Sequence, residues 1–362
     1  MGTLAAMLAC TLAATPLVAA GEAPPPAAPA RLAAGSFHTC AVDAGGAVRC
    51  WGHGVRGQLG NGATADSAVP VLVRGLVDAV EVTAGEWFSC ARTADGTVWC
   101  WGGNEHGQLA NGGGDSAVPV RIPVKGALQI AAGQKAACAR AADDVWCWGQ
   151  LGIESRLQPI ALGIAGARDV SMGAIHGCVV TSDAKVRCFG SNYSGQLGGP
   201  AKGLVGAPLP QLSGVAGVSA GGYQSCAWLA SGPLYCWGNN EYGSIRQPPA
   251  FIEREPALVT ALGDVAWARS GYGLTCALGR DRKLRCLGAN GMGQLGPKPA
   301  GVVGVPTVMS IAPVVEMALG GRHLCARLEG DALSCWGANY WGELGDGTTR
   351  ARPDPRLVVA AP

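Results

Sequence analysis

The feature that most constrains this chain is a set of fourteen cysteines that fall into seven pairs at nearly fixed spacing. The pairs are Cys40 and Cys50, Cys90 and Cys100, Cys138 and Cys147, Cys178 and Cys188, Cys226 and Cys236, Cys276 and Cys286, and Cys325 and Cys335. Six pairs are ten positions apart and one is nine, and the first cysteines recur at intervals of 50, 48, 40, 48, 50 and 49. A period near 50 is a propeller-blade length. Zinc would favour close Cys-x-x-Cys clusters with histidine support, which these spacings do not offer, so no metal is expected.

The same text surrounds each pair, as in Val82-Thr83-Ala84-Gly85, Cys90-Ala91-Arg92, a turn at Asp95-Gly96, and Val98-Trp99-Cys100-Trp101-Gly102. Two strands and a tight turn are implied. If Cys40 faces Cys50, then Val42 faces Val48 and Asp43 faces Ala47, leaving the loop Ala44-Gly45-Gly46; in the shorter pair the loop is Ala142-Asp143. Directly opposed residues lie about 4.5 to 5.5 Å apart at Cα, within reach of a disulfide. Each bridge would close a loop of about eleven residues, for which chain entropy gives roughly 2 to 3 kcal/mol, not additive across seven. The alternative is fourteen buried, reduced cysteines.

Each repeat supplies two further strands, such as Val69 to Val73 and Ala79 to Val82, making the four of a propeller blade. The recurrent Ala-Gly (Ala34-Gly35, Ala84-Gly85, Ala132-Gly133, Ala220-Gly221) fits a strand crowded against a central axis. The expected fold is therefore all-β, a seven-bladed propeller over residues 32–362 with repeats starting near 32, 82, 130, 170, 218, 266 and 317. The C-terminal Pro355 to Val359 matches Pro70 to Val73, and it is expected to complete the first blade and so close the ring.

Residues 1–20 read as a signal peptide: Leu4 to Ala20 is a short apolar run ending in small residues, and a Pro/Ala-rich linker follows over residues 21–31. The run falls short of the about 20 apolar residues of a membrane span. No Lys or Arg precedes Arg31, so the positively charged start of such a signal is missing. Met7-Leu8-Ala9-Cys10 is similar to a lipoprotein box, but the leader before it would be abnormally short, which makes a lipid anchor at Cys10 the lesser reading. A secreted, periplasmic or cell-envelope location is expected. Charged residues are 14% of the chain and the formal net charge is +2. That excludes the basic footprint of a nucleic-acid binder.

After the second cysteine comes Trp-Gly, then Gly-Gln-Leu-Gly, as in Gly57-Gln58-Leu59-Gly60, Gly107-Gln108-Leu109, Gly195-Gln196-Leu197-Gly198 and Gly293-Gln294-Leu295-Gly296. With Ala-Gly-x-x-His before the first cysteine (His38, His176, His323), this resembles the regulator of chromosome condensation repeat. The resemblance implies a seven-bladed propeller, a fold whose members include a guanine-nucleotide exchange factor, a plant ultraviolet photoreceptor and a secreted bacterial β-lactamase inhibitor. A fold hosts several functions, so the site decides among them. The exchange-factor reading suffers from the uniform repeat spacing, which leaves no room for a long inserted wedge. Photoreception would need clustered tryptophans, whereas Trp51, Trp101, Trp148, Trp237 and Trp336 all follow the second cysteine and are expected to pack between blades. The three histidines share one repeat position, which a ring places far apart, and are expected to be structural.

No nucleophile elbow, phosphate loop or catalytic constellation emerges, so neither an enzyme nor a cofactor is expected. The expected function is an exported scaffold that binds a protein partner, in the manner of an inhibitor, with a glycan-binding propeller or an exchange factor as alternatives. The hairpin register brings two variable stretches to one face, at the end opposite the turns. The slot after Ala-Gly-x holds Phe37, Trp87, Lys135, Ile175, Tyr223 and Arg322. The loop before Gly-Gln-Leu holds Arg56, His106, Tyr193, Tyr242, Tyr340 and Trp341. Aromatics and arginine are the residues that anchor interfaces. The third repeat lacks most of that loop, since Gln150-Leu151-Gly152 follows Trp148-Gly149 at once, and a notch in the rim is expected there.

Overall fold

Each cysteine pair lies at the centre of an antiparallel hairpin. The structure, a computed structural model, describes residues 30–200, 203–247, 251–297 and 301–359; the expected signal peptide and Cys10 lie outside them. His38–Val42 pairs with Val48–Gly52 so that Cys40 faces Cys50 and Val42 faces Val48. The chain reverses through Ala44-Gly45-Gly46, where Gly46 takes φ 80° and the Asp43 carboxylate accepts the Gly45 and Ala47 amides at 2.9 and 3.0 Å. An Asp at the turn start thus satisfies amides that the ladder leaves over. The shorter third hairpin closes through Ala142-Asp143, with the Ala141 amide donating to the Asp144 carbonyl at 2.9 Å.

The ladder bonds Asp43 N to Ala47 O and His53 N to Phe37 O mark the hydrogen-bonded pairs of the first hairpin. By alternation the cysteines occupy the intervening sites, where opposed Cα atoms come closest. Their Cα atoms are 4.0 to 4.1 Å apart in all seven bridges, each joining the pair read from the sequence.

Seven antiparallel sheets form, six of four strands and one of three, among the described residues. In six of them, the first blade being Leu32–Ala34, His38–Val42, Val48–Gly52 and Ser67–Leu72, chain order is also order from the axis outward. The fourth blade has Ala167–Met172, His176–Thr181 and Val186–Gly190, and its outer edge is met by a single bridge, Phe189 to Val205. Pro208 and Pro210 stand in that outer segment, and prolines cannot donate to a ladder. The one helical turn among the described residues is Thr260–Leu262.

The Ala-Gly strands line the axis. A Cβ added at Gly133 would lie 1.9 Å from the Gly173 carbonyl oxygen, and one at Gly320 would lie 2.7 Å from that of Gly35, so neighbouring inner strands approach too closely for any side chain. The five tryptophans are fully buried between blades, as expected. Each donates its indole N–H at 2.8 to 2.9 Å to a main-chain carbonyl of the preceding blade: Trp101 to Gln58, Trp148 to Gln108, Trp237 to Gln196, Trp336 to Gln294 and Trp51 to Glu343. The Gly-Gln-Leu element is therefore the acceptor half of an interblade staple.

Ring closure departs from the sequence expectation. The C-terminal strand Arg352–Leu357 pairs with Leu333–Gly337 of the seventh blade, setting Cys335 against Arg356. The first blade has its own outer strand, with Cys50 against Val71. The reason is phase. Each Ala-Gly strand pairs with the hairpin that follows it, so Leu32–Ala34 is a complete, if short, inner strand and the first repeat lacks nothing. The ring closes through contacts instead. Gly321 N donates to Gly35 O at 3.2 Å, and Glu316 Oε1 accepts the Arg31 and Leu32 amides at 2.8 and 3.0 Å. The Thr39 hydroxyl lies 2.8 Å from His323 Nε2.

Candidate binding face

The hairpin ends opposite the turns carry the variable residues, and seven such ends surround the axis. Between them lies a bowl of about 930 Å³ that narrows into an axial channel of about 70 Å³ lined by the Ala-Gly strands. The bowl is lopsided: among the described residues, the first three blades supply only Ser36, Phe37, Glu86 and Gln134, whereas most of its wall comes from the fifth to seventh.

Of the residues that the register reading set on one face, Phe37, Tyr223, Tyr242, Arg322, Tyr340 and Trp341 line the bowl. Tyr223, Tyr242 and Tyr340 are 43, 41 and 55% exposed, so their rings are available to a partner. Trp87 lies just outside, its ring 4.8 Å from that of Phe37. Trp341 stacks on His53 at 4.9 Å with 17° between planes and meets Phe37 edge-on at 5.1 Å. His53 is held by Asp66, Nδ1 to Oδ1 2.6 Å. The cluster thus spans the seventh, first and second blades, across the point of ring closure.

Arg56, His106, Lys135 and Tyr193 do not line the bowl. Arg56 pairs on the outer rim with Asp115 at 3.1 Å and Glu105 at 3.7 Å. Lys135 is half-buried and its carbonyl accepts the Gln150 amide, and Tyr193 stands out into solvent. In the third blade the loop is replaced by a tight turn at Gly152-Ile153 between Val145–Leu151 and Glu154–Ala161, so the rim has no loop there.

The sequence reading missed Tyr272. In the sixth repeat the aromatic falls one place early, in Ser270-Gly271-Tyr272-Gly273. Gly273, at φ 64°, leaves room for the Tyr242 ring, which lies 2.3 Å from where a Cβ would be. Tyr272 lines both the bowl and the channel, as Ser36 does, and its hydroxyl makes no hydrogen bond to a described group. Burial, with Glu86 and Tyr223 adding to it, pushes its pKa far up. Glu343, which takes the Gln position of the repeat, also has its pKa raised by burial, and its Oε2 accepts the Trp341 amide at 2.9 Å.

The histidines of the repeat are fully buried. His38 and His176 set Nε2 against Ser89 and Ser225 of the next blade at 2.7 and 2.9 Å, as His323 does with Thr39. Burial first of all lowers their pKa values to about 3 for His38 and about 4 for His176 and His323.

Together these features define a disulfide-bridged, seven-bladed β-propeller that presents a concave face of variable loops. The regulator of chromosome condensation (RCC1) repeat profiles match residues 30–58, 79–108 and 167–196, and 45–92 and 95–139. Over these stretches the chain carries repeats of this family. Among solved structures it is similar to Prp20p of Saccharomyces cerevisiae, 21% identical over 86% of this chain and 85% of that one, with a TM-score of 0.78. Human WBSCR16 is 20% identical over 87% of this chain and 94% of its own, with a TM-score of 0.77. The CRINKLY WD40 ectodomain of the Arabidopsis thaliana receptor kinase ACR4 is 18% identical over 89% of this chain and 99% of its own, with a TM-score of 0.55. No curated protein matches the chain at a significant level.

Proposed function

We propose that this chain is an exported, non-enzymatic binding scaffold whose loop face seats a protein partner. The observation that carries the reading is the bowl itself: exposed tyrosines and half-buried aromatic rings converge on a concavity held by a rigid, stapled ring. Such rings give large contact area at low entropic cost. Seven bridges fit an oxidising compartment, and no helix among the described residues is long and apolar enough to cross a membrane. A structurally similar protein, yeast RCC1, has been solved with Kap60 bound to it. Glycan binding is the second reading, favoured by amide side chains such as Gln134 and Asn239 beside the tyrosines.

The test is capture from the native extracellular or envelope fraction by three immobilised forms. Wild type and a turn variant (Asp43→Ala with Asp95→Ala) should retain the same protein, and a Trp87→Ala, Tyr340→Ala, Trp341→Ala variant should lose it. Loss in the turn variant alone would move the site to the opposite face. Retention of neutral oligosaccharides on an array, in place of protein, would favour the glycan reading.

A further inference from the structure

The bowl carries an unbalanced set of groups. Glu86 is half-buried, and no hydrogen bond or cation reaches its carboxylate. Glu241 on the fifth blade is likewise without a cation among the described residues, and Arg322 on the seventh is the one basic side chain among the described residues that line the bowl, itself unpaired and exposed. Blades two and five lie nearly across the ring, so the two residues line the bowl from opposite sides, Glu86 in the stretch between Gly85 and the second hairpin and Glu241 exposed on the rim loop beside Tyr242. Tyr223 and Tyr272 line the same bowl, the latter with a buried, unbonded hydroxyl. The missing complement is a compact group that donates several hydrogen bonds, carries positive charge and tolerates aromatic faces. Ammonium and guanidinium groups meet all three conditions.

The channel below limits how far such a group can travel. At about 70 Å³, walled by Ala-Gly backbone, it stops a side chain at the level of Tyr272. Lysine and arginine carry such a group at the end of a long, thin side chain, which a protruding segment would lower into the bowl from the rim. A neutral sugar would satisfy the amides but leave the Glu86 charge uncompensated, and an acidic ligand would be repelled by it. We propose that the bowl, with Glu86 and Tyr272 towards its floor and Tyr223 and Glu241 on its wall, is the anchor site for one lysine or arginine side chain of the partner. This rests on the scaffold reading, deepening it from a face to a pocket with a stated chemistry.

The test uses the intact chain and defined probes: acetylated, amidated Gly-Arg-Gly and Gly-Lys-Gly, with Gly-citrulline-Gly as the neutral counterpart of the arginine peptide. Ligand-observed NMR titration should show both cationic peptides binding and the citrulline peptide weaker by about tenfold, the scale of a lost charge-assisted contact. Glu86→Gln with Glu241→Gln should weaken the cationic peptides by a similar factor, and Tyr272→Phe by a smaller one, with melting temperatures unchanged. Glu329→Gln, which removes the same charge beside Arg282 at a turn on the opposite face, should leave affinity as it was. Equal binding of citrulline and arginine peptides, or indifference to the paired glutamate substitutions, would overturn the anchor. If partner capture is lost in the rim aromatic variant but unchanged in the glutamate variant, the scaffold stands and the anchor falls. Capture indifferent to both variants would remove both.

Discussion

Trp51 of the first blade donates its indole N–H to the main-chain carbonyl of Glu343 in the seventh at 2.8 Å, and so repeats across the ring's only sequence discontinuity the staple that links neighbouring blades elsewhere. The Thr39 hydroxyl donates to the same carbonyl at 2.9 Å. Trp51→Phe would keep most of the apolar volume and remove the N–H, leaving one of two donors. A loss of about 1 kcal/mol from the bond, and up to about 3 kcal/mol with the packing change, is expected in the denaturant midpoint. No change would mean that the closure does not depend on the staple.

Removing the chain from Arg352 onward strips the outer strand from the seventh blade and bares the edge Leu333–Gly337. Hydrogen exchange should therefore rise in that strand while the first blade, closed by Ser67–Leu72, keeps its protection. An unpaired edge also invites aggregation, so the truncated chain should associate at high concentration. Loss of protection at Val48–Gly52 instead would restore a closure shared between the termini.

Hairpins, bridges and the loop face were legible because each depends on register, and register follows from where two cysteines must meet. Ring closure was not, because Leu32–Ala34 is three residues long and the phase of a repeat is ambiguous when only its text is compared. Side-chain pairs between blades left a signal that went unread. His38, His176, His323 and Gln224 each precede a blade carrying Ser or Thr at the contacting position (Ser89, Ser225, Thr39, Thr275), and Gln224 Nε2 donates to Thr275 Oγ1 at 2.9 Å. Phe88, Ala136 and Leu274 precede Ala137, Gly177 and Leu324, where there is no hydroxyl to meet. Likewise Phe189 and Leu287 replace the tryptophan where the preceding blade offers no Gly-Gln-Leu carbonyl. The lopsided bowl could not be read, since it depends on which side chains lie over the axis, as Tyr272 does.

The buried histidines predict a pH dependence. An unfolded histidine takes up a proton below about 6.5, whereas His38, His176 and His323 stay neutral down to about 3 or 4. The unfolded state then binds more protons, so this part of the stability is full above pH 6.5 and is lost as pH falls towards 4. Each histidine should cost about 2 kcal/mol at pH 5 relative to pH 7.5. Glu81, raised to about 7 by burial against the pull of Arg92, works in the opposite sense between those pH values. Comparison with His176→Gln cancels that contribution, and the variant should lose about 2 kcal/mol less than wild type on acidification, read from urea midpoints. Parallel losses would mean that His176 titrates normally in the fold.

Seven bridges between opposed strands predict no alkylatable thiol in the folded, oxidised ring and fourteen after unfolding and reduction, counted by mass spectrometry. Replacing Cys90 and Cys100 together by alanine should cost about 2 to 3 kcal/mol, the chain entropy of one short loop, with cooperative unfolding retained. Several reactive thiols before reduction would contradict the bridges.

The rim aromatics should separate binding from stability residue by residue rather than as a set. Tyr340 is more than half exposed and its hydroxyl reaches only the Met292 sulfur, so Tyr340→Ala should leave the melting temperature within error while weakening partner capture. Trp341 differs, since its ring fills the space between His53 and Phe37 and the Asp66 bond holds His53 against it. Trp341→Ala removes a stacked and an edge-on contact, each worth about 0.5 to 1.5 kcal/mol beyond area, so a loss of roughly 1 to 3 kcal/mol is expected together with the loss of binding. Trp341→Phe should recover part of the stability, because a smaller ring still stacks on His53. Its binding should stay impaired if the indole edge is what the partner touches. Equal stability losses from Tyr340→Ala and Trp341→Ala would show that the cluster is not packed as described, and unchanged capture in both would take the partner off this rim.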